Sequence, residues 1–167
     1  MNKAIFLDRD GTINIEKNYL YKKEEFEFIA GMPKAIKKWN DLGYLVLVIT
    51  NQAGIARGFY EEVDVDILHK HINRCLKKVS AHIDGFYFCP HHPTEGIGKY
   101  KVECNCRKPN TGLLEKAIKD FNVDISKSYL FGNKGSDIEA GNRIGVQTFL
   151  VDSKSFDIDI YPMFNLL

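Results

Sequence analysis

The chain has 167 residues, a formal charge of +1, 44% apolar residues and 27% charged ones, which suits a single domain, residues 1–167, with a sizeable core. So balanced a charge provides no broad basic field for sequence-independent nucleic-acid binding, and any anion site has to be local. No apolar run approaches the ~20 residues of a membrane-spanning helix. No small-residue cleavage site follows the short apolar N-terminus, so a cytoplasmic protein is expected, in which four cysteines read better as metal ligands than as disulfides where they cluster.

Lys3 to Leu7 forms a short apolar run of the kind found in a buried parallel strand, and it runs straight into Asp8-Arg9-Asp10-Gly11-Thr12. In open α/β sheets ligands bind beyond the carboxyl ends of such strands. Carboxylates two residues apart on extended backbone point to the same side, so Asp8 and Asp10 are placed to share a cation or to divide nucleophile and acid/base roles. A polar strand-to-loop junction is the plainer alternative.

Residues 13–32 have no sustained period and read as a loop over the strand ends, either part of a substrate mouth or a surface loop packed on the core. Pro33 opens a helix with Ile36, Trp39 and Leu42 on one face and Gly43 as its stop. Tyr44 to Ile49 is a second buried strand. It ends in the polar turn Thr50-Asn51-Gln52-Ala53-Gly54, where a hydroxyl can bond a phosphate oxygen or simply close the turn.

From Glu61 to Ala81, Val65, Leu68, Ile72, Cys75 and Val79 recur at helical spacing, with His69 and His71 on or near the solvated face. Ile83 to Phe88 reads as a third strand. Cys89-Pro90-His91-His92-Pro93 follows, then ten residues, then Cys104-Asn105-Cys106-Arg107-Lys108-Pro109. Three thiols and an imidazole, His91 in preference to His92, supply the four ligands of a closed tetrahedral zinc site, although C-x-H and C-x-C are tighter than usual finger spacings. Unmetallated thiols are the alternative. Thr111 is expected to cap a helix through Phe121, which puts Arg107 and Lys108 just before a helix N-terminus, where cations and free N–H groups attract anions. Ser128 to Phe131 is a fourth strand, Ser136 is expected to cap a short helix, and Val146 to Val151 is a fifth strand. The remaining residues read as a terminal segment packed on or trailing from the core. Strands alternating with helices imply a doubly wound, mainly parallel α/β sheet.

FLDRDGT, VITNQ, CRKP before a helix, and GNKGSD resemble, in that order, the motifs of the haloacid dehalogenase superfamily of phosphatases, over about residues 3 to 151. TNQAGIARG, CPHHP and CNCRKP are similar to its small histidinol-phosphate phosphatase-like subgroup, which has a zinc-stapled loop and no cap domain. The resemblance implies Asp8 as nucleophile, Asp10 as general acid/base, and Thr50 and Lys108 holding the transferred phosphoryl group. Arg107 is implied in substrate recognition, and Asn51, Gln52 and Lys134 fall in the same phosphate- and substrate-binding motifs. It implies Mg²⁺ on Asp8, the Asp10 carbonyl and Asn133, and structural Zn²⁺ on Cys89, His91, Cys104 and Cys106. Asn133 departs from the family pattern, which has an aspartate there, and Asp137 is a candidate to compensate through the waters of the metal.

The activity implied is hydrolysis of a heptose bisphosphate through an aspartyl-phosphate, on the way to nucleotide-activated heptose for lipopolysaccharide or capsule. Histidinol phosphate is the alternative substrate, and a catalytically impaired, zinc-stabilised sugar-phosphate-binding protein the alternative function. The expected partner is a small sugar phosphate, with no nucleic acid and no membrane, and the chain is expected to act as a monomer.

Overall fold

Residues 1–165 are described by a computed structural model. Five parallel strands lie in the order β3-β2-β1-β4-β5. They are β1 Ala4–Leu7, β2 Leu45–Asn51, β3 Gly85–Cys89, β4 Tyr129–Gly132 and β5 Gln147–Leu150. The helices are α1 Met32–Asp41, α2 Ala53–Ala56, α3 Glu62–Lys77, α4 Gly112–Phe121 and α5 Gly135–Ile144. From β1 the chain builds outward through β2 and β3, then returns to the other flank for β4 and β5. The strand order therefore reverses between β1 and β4, where open α/β sheets bind ligands. Asp8 and Asn133 follow those two strands directly.

Burial on both faces explains the unbroken apolar strand sequences. Along β1, Ile5 and Leu7 pack into a layer containing Ile36 and Trp39 of α1 and Leu68 and Ile72 of α3. Ala4 and Phe6 point the other way, into a layer with Leu114 and Ala117 of α4 and Ala140 of α5. The two-residue period of a strand sorts the side chains in this way. The C-terminal segment completes the first layer: Phe156, Ile158 and Phe164 are buried, and the Phe156 and Phe164 rings lie 5.5 and 5.8 Å from that of Trp39. Lys34 and Lys38 each donate to Asp159 at 2.9 Å. The segment is thus packed rather than trailing, with Leu166 and Leu167 outside the described residues.

Several boundaries differ from those expected. β2 continues past Ile49 because Thr50 and Asn51 remain registered against Phe88 and Cys89. α3 stops at Lys77, short of Ala81; Ser80 turns to φ 57°, which leaves Val79 47% exposed rather than on the buried stripe. Cys75 is only half-buried. His69, expected on the solvated face, is 4% exposed. Thr111 makes no capping bond and instead donates to Glu115 at 2.7 Å. Lys134 rather than Ser136 is the N-cap of α5, and the Lys134 N–H donates to Asp137 Oδ2 at 3.1 Å. Among the described residues no helix is long and apolar enough to cross a membrane.

Candidate active site and metal centre

At the end of β1, Asp8 is 6% exposed and meets Lys108, which is 5% exposed. The Lys108 ammonium donates to Asp8 Oδ1 at 2.8 Å, to Asp137 Oδ1 at 2.6 Å and to the Ile49 carbonyl at 2.6 Å. Burial favours the neutral amine, but the two carboxylates outweigh it and hold the Lys108 pKa above its ordinary value. Burial pushes Asp8 up to about 6, opposed by Lys108 and reinforced by the charges of Asp137 and Asp10. Asp8 therefore sits in a pocket with too little positive charge for two buried carboxylates, which favours any added cation. Asp137 accepts from the Lys108 ammonium through Oδ1 and from the Lys134 N–H through Oδ2, which holds it beside Asp8 and Lys108.

Asp10 is held from the other side. Arg9 Nη2 lies 3.0 and 3.1 Å from its two oxygens. Asn14 Nδ2 donates to Oδ1 and Gln52 Nε2 to Oδ2, each at 3.0 Å. Burial raises the Asp10 pKa, but the Arg9 charge and these hydrogen bonds outweigh it and keep the carboxyl below its ordinary value. Gln52 also donates to Thr50 Oγ1 at 2.9 Å and accepts from the Tyr60 hydroxyl. It thereby ties the end of β2 to the acid/base candidate.

Asn133 lies across the mouth of β1. Its amide atom facing the site is 3.0 Å from Asp8 Oδ2 and 3.1 Å from the Asp10 carbonyl oxygen. In octahedral Mg²⁺, bonds of about 2.1 Å place adjacent oxygens about 3.0 Å apart, so the Asn133 atom stands at the spacing of neighbouring ligands from both Asp8 and the Asp10 carbonyl. Without a cation, an amide facing two acceptors turns its N–H₂ toward them. The backbone geometry supports the approach: Gly11 has φ 84°, and a Cβ there would lie 2.2 Å from the end of the Asn133 amide that faces away from Asp8.

Beside these groups an open cavity of about 510 Å³ is lined by residues including Asp10, Asn18, Tyr19, Arg107, Lys134 and Ser136. Arg107 and Lys134 thus stand at its wall. Asn51 and Gln52 also line it. The Asn51 side chain is spoken for at both ends, donating to the Lys108 carbonyl at 3.1 Å and accepting from the Lys108 N–H at 2.9 Å. Its position makes it a brace for the lysine.

Cys89, His91, Cys104 and Cys106 converge, with all four potential ligand atoms within 4.8 Å of one another. Cys106 Sγ lies 2.9 Å from Cys89 Sγ, 3.3 Å from Cys104 Sγ and 3.4 Å from His91 Nδ1. Zn–S bonds of about 2.3 Å give tetrahedral S···S distances of about 3.8 Å, so admitting the ion requires the sulfurs to part by less than about an ångström. Hydrogen bonding with Cys89 holds the Cys106 thiol down at about 5, while hydrogen bonding with Cys106, and then burial, push the Cys89 thiol up. His92 is turned away, its Nδ1 accepting the backbone N–H groups of Thr94 and Glu95 at 3.2 and 2.9 Å. Among the two histidines, His91 is therefore the one in ligand position.

Sequence reasoning missed Arg9, Asn14, Tyr60 and His69, which surround Asp10 directly or at one remove. A charged residue between two aspartates carries a weak signal, because alternation along an extended segment sends it to the opposite side. Only the bend of the loop brings it back.

The family model described as polynucleotide kinase 3 phosphatase matches residues 3–149. The D-glycero-beta-D-manno-heptose-1,7-bisphosphate 7-phosphatase of Haemophilus ducreyi is 45% identical over 147 residues, 87% of this chain and 80% of that protein. The D-glycero-alpha-D-manno-heptose-1,7-bisphosphate 7-phosphatase of Burkholderia mallei is 47% identical over 150 residues, 90% of this chain and 79% of that protein. Among solved structures, the D,D-heptose 1,7-bisphosphate phosphatase from B. bronchiseptica, complexed with magnesium and phosphate, superimposes with a TM-score of 0.78 at 29% identity. That match covers 89% of this chain and 79% of the other. The chain belongs to this family of haloacid dehalogenase-type phosphatases, in the branch that contains the heptose-1,7-bisphosphate 7-phosphatases.

Proposed function

We propose that the protein is a Mg²⁺-dependent phosphatase that removes the C7 phosphate of D-glycero-D-manno-heptose 1,7-bisphosphate. The observation that carries the reading is the convergence of Asp8, Lys108, Asp10 and Asn133 at the strand-order reversal, beside a cavity walled by Arg107 and Lys134. The names of the relatives supply the sugar. A bisphosphate matches this wall, with one phosphate at Lys108 and Thr50 and the other facing Arg107 and Lys134. The net charge of +1 argues against a polynucleotide substrate. A cytoplasmic location and monomeric action belong to the same proposal.

In the first step the Asp8 carboxylate attacks phosphorus in line, the P–O ester bond breaks, and the electron pair moves onto the sugar oxygen. Asp10 delivers the proton that neutralises it. Arg9, Asn14 and Gln52 favour the carboxylate form of Asp10; the incoming phosphate dianion favours the acid, because like charge nearby disfavours ionisation. In the second step Asp10 takes a proton from water as that water attacks the phosphorus of the aspartyl-phosphate, freeing Asp8 and inorganic phosphate. Lys108 spreads positive charge over the phosphoryl oxygens throughout. Asp8, the Asp10 carbonyl and Asn133 would hold Mg²⁺, which would supply further charge neutralisation. Cys89, His91, Cys104 and Cys106 would hold a structural Zn²⁺ with no position left for substrate, and the ion would fix the loop that carries Arg107 and Lys108.

A phosphate-release screen with Mg²⁺ tests the reading, using heptose bisphosphate in both anomeric forms, histidinol phosphate and an oligonucleotide 3′-phosphate. The heptose compound should give the highest kcat/KM, and Asp8→Asn should abolish release. Faster turnover of histidinol phosphate would replace the substrate assignment, while tight sugar-phosphate binding without turnover would replace the enzyme by a binding protein.

A further inference from the structure

Arg9 has no exposed surface, although it lies one residue from the mouth of the site. Its Nη2 reaches both oxygens of Asp10 and also donates to the Leu20 carbonyl at 2.9 Å. Nε lies 3.3 Å from Asp10 Oδ1. Nη1 points the other way, to His69 Nε2 at 3.3 Å. His69 comes from α3, is 4% exposed, and is stacked on Phe86 of β3 with ring centroids 4.3 Å apart and planes 15° apart. A planar fork sandwiched in this way has one orientation available, and the carboxylate it grips has one as well.

We infer that Arg9 and His69 form a positioning pair, in which the buried imidazole fixes the guanidinium fork and the fork sets the aim of the Asp10 carboxyl at the leaving-group oxygen. A neutral imidazole is required, since Nε2 must accept from Arg9 while the ring proton sits on Nδ1. Burial, and then the Arg9 charge, lower the His69 pKa to about 3 and satisfy that condition. Neither residue reaches the reacting atoms; both act through Asp10. A leucine at position 69 would leave Nη1 facing an apolar surface, and a buried donor without an acceptor draws its group toward other partners. A shift of about 1 Å in a catalytic group can cost ~10²-fold in rate.

The inference rests on the reading of Asp10 as the general acid, and the test separates the two. With an alkyl phosphate such as heptose bisphosphate, the departing alkoxide needs the Asp10 proton. With p-nitrophenyl phosphate, the phenolate leaves without one. kcat/KM reports events up to transfer of phosphorus to Asp8, so the alkyl-to-aryl ratio isolates proton delivery. His69→Leu should lower that ratio by about tenfold or more, but by less than the ~10²–10⁴ of full general-acid loss. His69→Gln, whose Oε1 falls where Nε2 lies, should recover most of it. Asp10→Asn should lower it furthest. Should His69→Leu fail to fold, Arg9→Lys, which keeps the charge but cannot grip both partners, carries the same expectation. A ratio that falls in Asp10→Asn but not in the position 69 or 9 variants overturns the positioning role alone. A ratio unchanged in Asp10→Asn overturns the general-acid reading on which it rests.

Discussion

The Asn133 side chain faces Asp8 across 3.0 Å, with the Asp10 carbonyl at 3.1 Å from the same amide atom. A primary amide suits this place in two states, because its N–H₂ serves the two oxygens when no cation is present and its oxygen serves as ligand when one is. Ser153 Oγ, 3.3 Å from the opposite end of the amide, can accept from N–H₂ or donate to C=O, so either orientation keeps a partner. An aspartate has no such alternative.

Asn133→Asp should therefore destabilise the metal-free protein and strengthen its response to Mg²⁺. Altered partners of metal ligands already change affinity or activity ~10 to 100-fold, so a restored carboxylate should lower the half-maximal Mg²⁺ concentration by at least about tenfold, ~1.4 kcal/mol. Thermal unfolding and activity, each titrated with Mg²⁺, check both halves. Superimposable titrations would remove Asn133 from the metal site.

Lys108 is the buried counter-charge of both Asp8 and Asp137. Lys108→Met should eliminate measurable turnover and cost about 3–5 kcal/mol of stability, because it strands two carboxylates. Adding Asp137→Leu to that variant should recover part of the stability and none of the turnover. Urea denaturation of the single and double variants measures the difference.

The sequence exposed the parts of this arrangement that depend on strand ends. Apolar runs entering Asp8, Thr50 and Asn133 placed all three at one edge of a parallel sheet, and the structure puts them there. The C-x-H and C-x-C clusters likewise announced their convergence. Hidden were the consequences of tertiary closure. His69 sits between residues of a helix whose period leaves it marginal, and only packing against Phe86 and Arg9 buries it. The C-terminal aromatics had no period at all, because they pack as single-turn segments against Trp39.

His69 also sets a pH dependence. Its folded-state pKa of about 3 lies below the ~6.5 of an unfolded histidine, so between those values the unfolded chain binds the extra proton. Stability contributed by the neutral imidazole is full above pH ~6.5 and falls as pH drops, by up to about 1.4 kcal/mol per unit. His69→Gln lacks this component. Relative to that variant, the wild type should lose stability steadily from pH 6.5 to 5 in denaturant titrations; parallel curves would mean that His69 titrates normally.

Purified protein should contain about one zinc per chain, held by thiolates deprotonated on binding. Cys104→Ser/Cys106→Ser should abolish it, lower the melting temperature, and raise KM more than it lowers kcat, because the loop bearing Arg107 is loosened while Asn51 of β2 still braces Lys108 and Asp8 and Asp10 keep their places beyond the end of β1. Undiminished zinc in that variant would remove the assignment.

The most direct measurement follows heptose 1,7-bisphosphate by phosphorus NMR with enzyme and Mg²⁺. The C7 monoester signal should be replaced by inorganic phosphate while the C1 phosphate persists, with no conversion by Asp8→Asn. Loss of the C1 phosphate first, or turnover that survives Asp8→Asn, would overturn the assignment of a C7 phosphatase working through Asp8.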